Sequence, residues 1–120
     1  MKKILIVDDE PNIVMSLEYT FKKNNFEVFI ARDGQEALDI LEKQLPDVII
    51  LDVMMPMVDG FATLEQIKND ERLQHCKVIF LSAKNKEKDI EKGLSLGANL
   101  YVTKPFSIKK LVEQVQELIQ

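Results

Sequence analysis

Unbroken apolar runs alternate along the chain with segments in which apolar residues recur every three or four positions. Runs of the first kind are typical of strands buried on both faces of a sheet, and segments of the second kind of amphipathic helices. The predicted strands are 3–8, 26–31, 47–52, 77–82 and 98–103, and the predicted helices are 11–24, 34–44, 60–69, 86–96 and 107–119. This alternation indicates an α/β fold with a parallel sheet covered by helices on both faces.

The residue content of the strands predicts their order in the sheet. The first, third and fourth strands carry apolar runs of four residues, which suit central positions, whereas the second contains Glu27 and suits an edge. This pattern favours the doubly wound order 2-1-3-4-5, with the first and third strands adjacent. We therefore expect a flavodoxin-like three-layer α/β/α architecture, with residues 1–120 forming one domain.

Composition and charge narrow the class of function. The chain has 120 residues and a net charge of −4, without a Lys/Arg-rich stripe that carries aromatic residues, so direct nucleic-acid binding is not expected. The lone Cys76 argues against a disulfide or a cysteine-cage metal site. The apolar run after Lys3 is too short for a signal peptide or a membrane span. We expect a cytoplasmic protein that does not contact the membrane.

Acidic residues follow two of the strands that are predicted to be adjacent. Asp8 and Asp9 end the first strand, with Glu10 close by, and Asp52 ends the third. Because the carboxyl ends of parallel strands meet at the switch point of such a sheet, these carboxylates should crowd one crevice. A cation would relieve their repulsion, and oxygen-only ligands favour Mg²⁺ before calcium or zinc. The alternative is that each aspartate faces water at a strand end or caps a helix.

Two further residues are predicted to face the same crevice. Ser82 ends the fourth strand, and Lys104 follows the fifth. A hydroxyl and an ammonium beside a metal-bound carboxylate can hold an anion such as a phosphoryl group, and a carboxylate can itself attack phosphorus to give an acyl phosphate. The alternatives are a solvated surface lysine and a strand-end hydrogen bond.

Four blocks of the sequence lie at the ends of predicted strands: ILIVDDEP at 4–11, VIILDVMMPMVDG at 48–60, VIFLSA at 78–83 and GANLYVTKPF at 97–106. Together they resemble the response regulator receiver family of two-component signalling, and the chain is similar to chemotaxis receivers. Four ordered blocks at strand ends are far more specific than one short motif, and together they cover essentially the whole chain.

The resemblance implies a phosphoacceptor switch rather than a turnover enzyme. Asp52 would accept a phosphoryl group from a phosphohistidine on a sensor kinase or phosphorelay protein. The resemblance also implies a Mg²⁺ site served by Asp8, Asp9, Asp52 and the main-chain carbonyl of Met54, directly or through water.

Other implied roles concern the phosphoryl group and the switch. Lys104 would pair with the phosphoryl group, Ser82 would donate a hydrogen bond to it, and Tyr101 would turn inward when the serine moves. The Lys104–Pro105 bond would be cis. The surface around the fourth helix, fifth strand and fifth helix would then change its affinity for a partner, and Gly93 should weaken the fourth helix by about 1 kcal/mol relative to alanine.

The chain departs from the large DNA-binding subfamily at the surface through which its activated members pair. The fifth helix has no arginine, and Asn99 and Leu100 stand where acidic residues are common. We expect a monomer before phosphorylation and at most a weak dimer after it. The chain would control a downstream effector protein, or an effector domain if it is cut from a longer regulator; the sequence leaves both open.

Met54 lies two positions after the expected acceptor and Lys84 two after Ser82, at places that influence how water reaches the phosphoryl group in the family. Because methionine cannot hydrogen-bond an attacking water well, we expect slow self-dephosphorylation, over hours rather than seconds.

Three alternatives share parts of this pattern. A phosphatase of the haloacid dehalogenase superfamily usually has a second aspartate two residues after the nucleophile, where this chain has Met54. A flavin- or nucleotide-binding domain would place glycines or hydroxyls after the first strand, where this chain reads DDEP. A degenerate receiver would bind partners without phosphorylation, although every expected acceptor-site position is filled here.

Overall fold

The computed structural model describes residues 1–55 and 59–120, and its elements follow the predicted alternation. The strands are β1 (Lys2–Val7), β2 (Phe26–Ala31), β3 (Val48–Leu51), β4 (Lys77–Ser82) and β5 (Leu100–Thr103). The helices are α1 (Pro11–Lys23), α2 (Gly34–Leu41), α3 (Gly60–Lys68), α4 (Glu87–Ser95) and α5 (Ile108–Leu118), with a short 3₁₀ turn at Glu71–Leu73.

The five strands form one parallel sheet in the predicted order, β2-β1-β3-β4-β5. All four residues of β3 are buried, as their unbroken apolar run predicted, whereas Glu27 on the edge strand is exposed. In the register between β1 and β3, Val7 lies opposite Leu51. The residues that follow these two positions are therefore brought side by side.

Alternate residues of the strands pack into a core on each face of the sheet. On one face, Ile4 and Ile6 of β1 belong to a cluster with residues of α1 and α5. On the other face, Leu5 and Val7 belong to a cluster with residues of α2 and α3. Full burial of one such aliphatic side chain contributes roughly 1.5–3 kcal/mol to stability, so the two-sided core holds the strand ends in place.

Helix α4 packs against the sheet through a glycine. Within Glu87–Ser95, the buried residue is Gly93, which faces Phe80 of β4 and Tyr101 of β5. A Cβ atom at this position would lie 2.9 Å from an atom of each ring. The absence of a side chain at Gly93 therefore sets how closely α4 approaches the sheet.

Cys76 precedes β4 and is buried, and its thiol donates a hydrogen bond to the carbonyl oxygen of Pro46 at 2.8 Å. Burial raises the pKa of Cys76 to about 11, so the thiol stays protonated and unreactive at neutral pH. In the parts of the chain that the structure describes, no helix has the length and apolar content needed to cross a lipid bilayer.

Candidate functional site

Two buried aspartates lie next to each other at the carboxyl ends of β1 and β3. Asp8 follows Val7 and Asp52 follows Leu51, and their side chains are 2% and 4% exposed. The backbone amide of Asp52 donates to the carbonyl of Val7 at 2.9 Å, which continues the pairing of the two strands. The predicted meeting of these carboxylates at the switch point is confirmed.

Each buried aspartate is oriented by a backbone amide two residues further along the chain. The amide of Glu10 donates to Asp8 Oδ1 at 2.9 Å, and the amide of Met54 donates to Asp52 Oδ1 at 3.1 Å. One oxygen of each carboxylate is thereby fixed in a local turn. The other oxygen of each is left to face the crevice.

The ammonium group of Lys104 lies between three carboxylates. Its Nζ is 2.8 Å from Glu10 Oε1, 3.0 Å from Asp8 Oδ2 and 3.3 Å from Asp52 Oδ2. The lysine reaches them because its backbone amide donates to the carbonyl of Ser82 at 2.9 Å, directly after β5. One positive charge thus faces three negative ones, which leaves a local excess of negative charge that attracts a cation.

The pKa values of Asp52 and Lys104 reflect the opposing effects of burial and of the neighbouring charges. Burial raises the pKa of Asp52 above its ordinary value; the charge of Asp8 raises it further, and the Met54 amide and Lys104 oppose the rise. Burial by itself would lower the pKa of Lys104, but its hydrogen bonds to Glu10 and Asp8 and the charge of Asp52 outweigh burial and raise it. Lys104 is therefore charged at neutral pH, and the charged form of Asp52 is disfavoured by its surroundings.

The carboxylate cluster differs in one member from the expected metal ligands. One oxygen each from Asp8, Glu10 and Asp52 lies within 4.8 Å of the others. Asp9, expected beside them, is exposed and is outside this cluster among the described residues. The sequence indicated Glu10 only as an acid close to the site. Its membership of the cluster could have been predicted from its place as the third acid of the DDE run. The predicted metal roles of Asp9 and of the Met54 carbonyl stay predictions.

Ser82 and Tyr101 lie on the neighbouring strands. Ser82 is fully buried at the end of β4, and its hydroxyl oxygen accepts a hydrogen bond from the amide of Lys84 at 3.2 Å. The hydroxyl of Tyr101 donates to the carbonyl of Lys84 at 2.7 Å, and its ring lies 5.8 Å from that of Phe80. Ser82 and the predicted switch residue Tyr101 thus contact the same loop after β4. The Lys104–Pro105 bond is cis, as the resemblance implied.

Comparisons with known proteins agree with this geometry. Residues 4–116 match the family described as the response regulator receiver domain. The chain belongs to the response regulator receiver family. It is therefore the receiver domain of a two-component system, and the phosphatase and flavin- or nucleotide-binding alternatives are wrong. The acidic cluster at its strand ends fits the phosphorylation and Mg²⁺ site that receivers share.

A transcriptional regulatory protein is among the relatives of this receiver. The chain is 40% identical over 119 residues to the alkaline phosphatase synthesis transcriptional regulatory protein PhoP of Bacillus subtilis, covering 99% of this chain and 49% of PhoP. It thus spans about half the length of that relative.

Two solved receiver domains superpose on almost the whole chain. The receiver domain of the Francisella response regulator 1452 is 34% identical, with a TM-score of 0.91, and the match covers 99% of this chain and 97% of the other. The receiver domain of the sensor histidine kinase PA1611 from Pseudomonas aeruginosa, with a magnesium ion in its active-site cleft, is 30% identical, with a TM-score of 0.89 and coverage of 98% and 97%.

Proposed function

We propose that this receiver accepts a phosphoryl group on Asp52 from a phosphohistidine of a sensor kinase or phosphorelay protein, with the help of Mg²⁺. The observation that carries the proposal is the contact of Lys104 Nζ with three carboxylates at the strand ends. It places an ammonium within 3.3 Å of an oxygen of the buried Asp52 side chain. Phosphoryl transfer requires mainly alignment and charge neutralisation, and this arrangement supplies both.

Asp52 is assigned as the nucleophile, rather than Asp8, because it stands at the acceptor position that the receiver family places at the end of the third strand. Lys104 Nζ is 3.0 Å from Asp8 Oδ2 and 3.3 Å from Asp52 Oδ2, while the Met54 amide fixes Asp52 Oδ1. The strand order also puts Asp52 between β1, which carries Asp8, and β4, which ends at Ser82. One oxygen is therefore oriented while the other can attack.

The proposed transfer balances without a further reactant. An Oδ atom of Asp52 forms a bond to phosphorus while the phosphorus–nitrogen bond of the donor breaks. The electron pair of that bond stays on the nitrogen, and the ring leaves as neutral imidazole because its other nitrogen carries a proton. Lys104 then pairs with the phosphoryl oxygens, and Ser82 donates a hydrogen bond to one of them. No external proton acceptor is required when Asp52 attacks as a carboxylate.

The site fits a hard divalent cation. The oxygens of Asp8, Glu10 and Asp52 lie within 4.8 Å of one another, and among the described residues no histidine or thiol joins them. Oxygen-only donors of this kind suit Mg²⁺. Asp8 and Asp52, with Asp9 and the Met54 carbonyl, would hold it. When bound, Mg²⁺ would neutralise charge on the carboxylates and on the incoming phosphoryl group.

The donor would reach the site over a groove beside Lys104. Ile13 and Ser16 of α1 line it on one side, and Phe106 and Ile108 line it on the other. An apolar groove next to a charged acceptor can hold a helix of a phosphotransfer protein while its phosphohistidine points at Asp52. We infer that the phosphodonor is a protein, that the reaction is cytoplasmic, and that neither nucleic acid nor a membrane contacts this domain directly.

Output would follow from movement of Ser82 toward the phosphoryl group. Phosphorylation adds about 1.5 to 2 negative charges and three acceptor oxygens. As Ser82 turns to donate a charge-assisted hydrogen bond to the phosphoryl group, its oxygen would move relative to the Lys84 amide that now donates to it, and Tyr101 donates a hydrogen bond to the same loop. The surface of α4, β5 and α5 would therefore change its affinity for a downstream effector protein or domain. We infer a monomer before phosphorylation and at most a weak dimer after it.

The proposal is tested by intact-protein mass spectrometry after incubation with acetyl phosphate. One phosphoryl adduct is expected with Mg²⁺, little without it, and none on the Asp52→Asn variant. Asp39→Asn, an exposed aspartate outside the site, is the matched control and should be modified like the wild type. A wild-type protein that never gains an adduct would support the degenerate-receiver alternative instead.

A further inference from the structure

Glu10 makes the shortest ion pair of the Lys104 ammonium, although it is the least buried of the three acids. The distance is 2.8 Å, against 3.0 Å for Asp8 and 3.3 Å for Asp52. The Glu10 side chain is 56% exposed, while those of Asp8 and Asp52 are 2% and 4% exposed. The ammonium thus lies closer to the exposed carboxylate at the mouth of the crevice than to the buried side chain of the proposed acceptor.

The backbone around Glu10 explains why its side chain takes this position. Pro11 restricts the residue before it to extended conformations, and Glu10 has φ −88° and ψ 110°. Its amide is bonded to Asp8 Oδ1 at 2.9 Å. Glu10 stands at the N-cap of α1, yet its side chain makes no capping hydrogen bond to the helix. The carboxylate therefore serves Lys104 and not the helix end.

We propose that Glu10 is a positioning residue that holds the Lys104 ammonium closer to the mouth of the crevice than to Asp52, until a phosphoryl group on Asp52 draws it inward. This inference rests on the proposed function. Because Glu10 is more than half exposed, its ion pair is weak and breaks at low cost, unlike the contact of Lys104 with the buried Asp8. Glu10 and the phosphoryl group on Asp52 compete for one ammonium.

Competition predicts effects of opposite sign on two ligands of the same site. The Glu10 carboxylate adds negative charge to the cluster, so its loss should weaken Mg²⁺ binding. The same loss frees Lys104 for an anion on Asp52, so it should strengthen binding of beryllofluoride, a phosphoryl mimic, at saturating Mg²⁺. A residue that only supports the fold would weaken both.

Three variants separate the charge of Glu10 from its contact with Lys104. Glu10→Gln removes the charge. Glu10→Asp keeps the charge but shortens the side chain by about 1.5 Å and favours capping of α1, so the carboxylate no longer reaches the ammonium. Glu18→Gln makes the same chemical change further along α1, at a residue paired with Lys22, and is the control.

The measurement is a titration with Mg²⁺ alone and then with beryllofluoride. The readout is the ¹H–¹⁵N NMR signal of the Met54 amide, which donates a hydrogen bond to Asp52. For Glu10→Gln we expect Mg²⁺ binding about two- to fivefold weaker and beryllofluoride binding about two- to fivefold tighter. For Glu10→Asp we expect Mg²⁺ binding like the wild type with the same tightening for beryllofluoride. Glu18→Gln should match the wild type in both.

Unchanged or weaker beryllofluoride binding by both Glu10 variants would overturn the role of Glu10. Tightening in Glu10→Gln alone would also overturn it, because the charge and not the contact with Lys104 would then be responsible. A wild-type protein that binds Mg²⁺ but no beryllofluoride would overturn the proposed function itself, so the two failures are distinguishable.

Discussion

At the scale of single residues, the sequence predicted which side chains share the site but not every direction in which they point. Asp8, Asp52 and Lys104 were predicted from their places at strand ends, and the structure brings both carboxylates within 3.3 Å of the Lys104 ammonium. The directions of the Glu10 and Asp9 side chains were harder to predict. Both residues come after the end of β1, so the turn that follows decides where their side chains point. The turn brings Glu10 to Lys104 and leaves Asp9 exposed.

Ionised Asp52 should reduce the stability of the metal-free protein. Because its pKa is raised in the folded state, folding favours the protonated carboxyl, and stability is lost as the pH rises through the ordinary value of 3.8 to the folded value. Asp52→Asn should therefore melt at a higher temperature than the wild type at pH 7 in a metal chelator.

The gain should disappear as the pH falls below 3.8, where the wild-type carboxyl is protonated in both states. Thermal unfolding followed by circular dichroism across this range is the measurement. A variant less stable than the wild type at pH 7 would show that Lys104 stabilises ionised Asp52 by more than burial costs.

Met54 should influence the lifetime of the phosphoryl group. Its side chain is 53% exposed next to Asp52, and methionine offers water no strong hydrogen bond. We predict a half-life of hours for the wild type. Met54→Asn, which can hold an attacking water, should shorten it about tenfold, the effect of about one hydrogen bond. Loss of the phosphoryl adduct over time gives both rates, and equal rates would contradict the prediction.

At the scale of elements, every predicted helix and strand is present, and the errors lie at the ends. β3 begins at Val48 rather than at 47, and β5 at Leu100 rather than at 98. The residue before each strand bonds to the neighbouring strand through its side chain as well as through its backbone. Asp47 Oδ2 accepts from the amide of Lys3 at 2.8 Å, and Asn99 Oδ1 accepts from the amide of Val78 at 2.9 Å. Hydrophobic patterns identify an element, but they do not show at which residue its regular backbone hydrogen bonding begins or ends.

Gly93 shows why helix propensity alone misjudges α4. From propensity, Gly93→Ala should stabilise the helix by about 1 kcal/mol. In the structure, the added Cβ would lie 2.9 Å from atoms of Phe80 and Tyr101, and overpacking of this kind costs about 1–3 kcal/mol. We predict that the variant is less stable by about 1 kcal/mol in urea unfolding. Glu91→Ala, an exposed change in the same helix, should leave stability within about 0.5 kcal/mol, and a stabilised Gly93→Ala would contradict the packing argument.

At the scale of the whole molecule, the order of the strands brings the residues of the site together. Asp8 and Lys104 are 96 positions apart in sequence, yet a parallel sheet with β1, β3 and β4 adjacent brings their side chains to 3.0 Å. This order could be predicted because apolar runs separate central strands from edge strands. The 3₁₀ turn at Glu71–Leu73 could not, because three residues carry no periodic pattern.

The most direct test of the account identifies the residue that carries the phosphoryl group. After incubation with acetyl phosphate and Mg²⁺, reduction with borohydride converts an aspartyl phosphate to homoserine, which peptide mass spectrometry can locate. The account predicts homoserine at position 52 and none at positions 8 or 9. Homoserine at another aspartate, or its absence from a protein that has gained the phosphoryl mass, would contradict it.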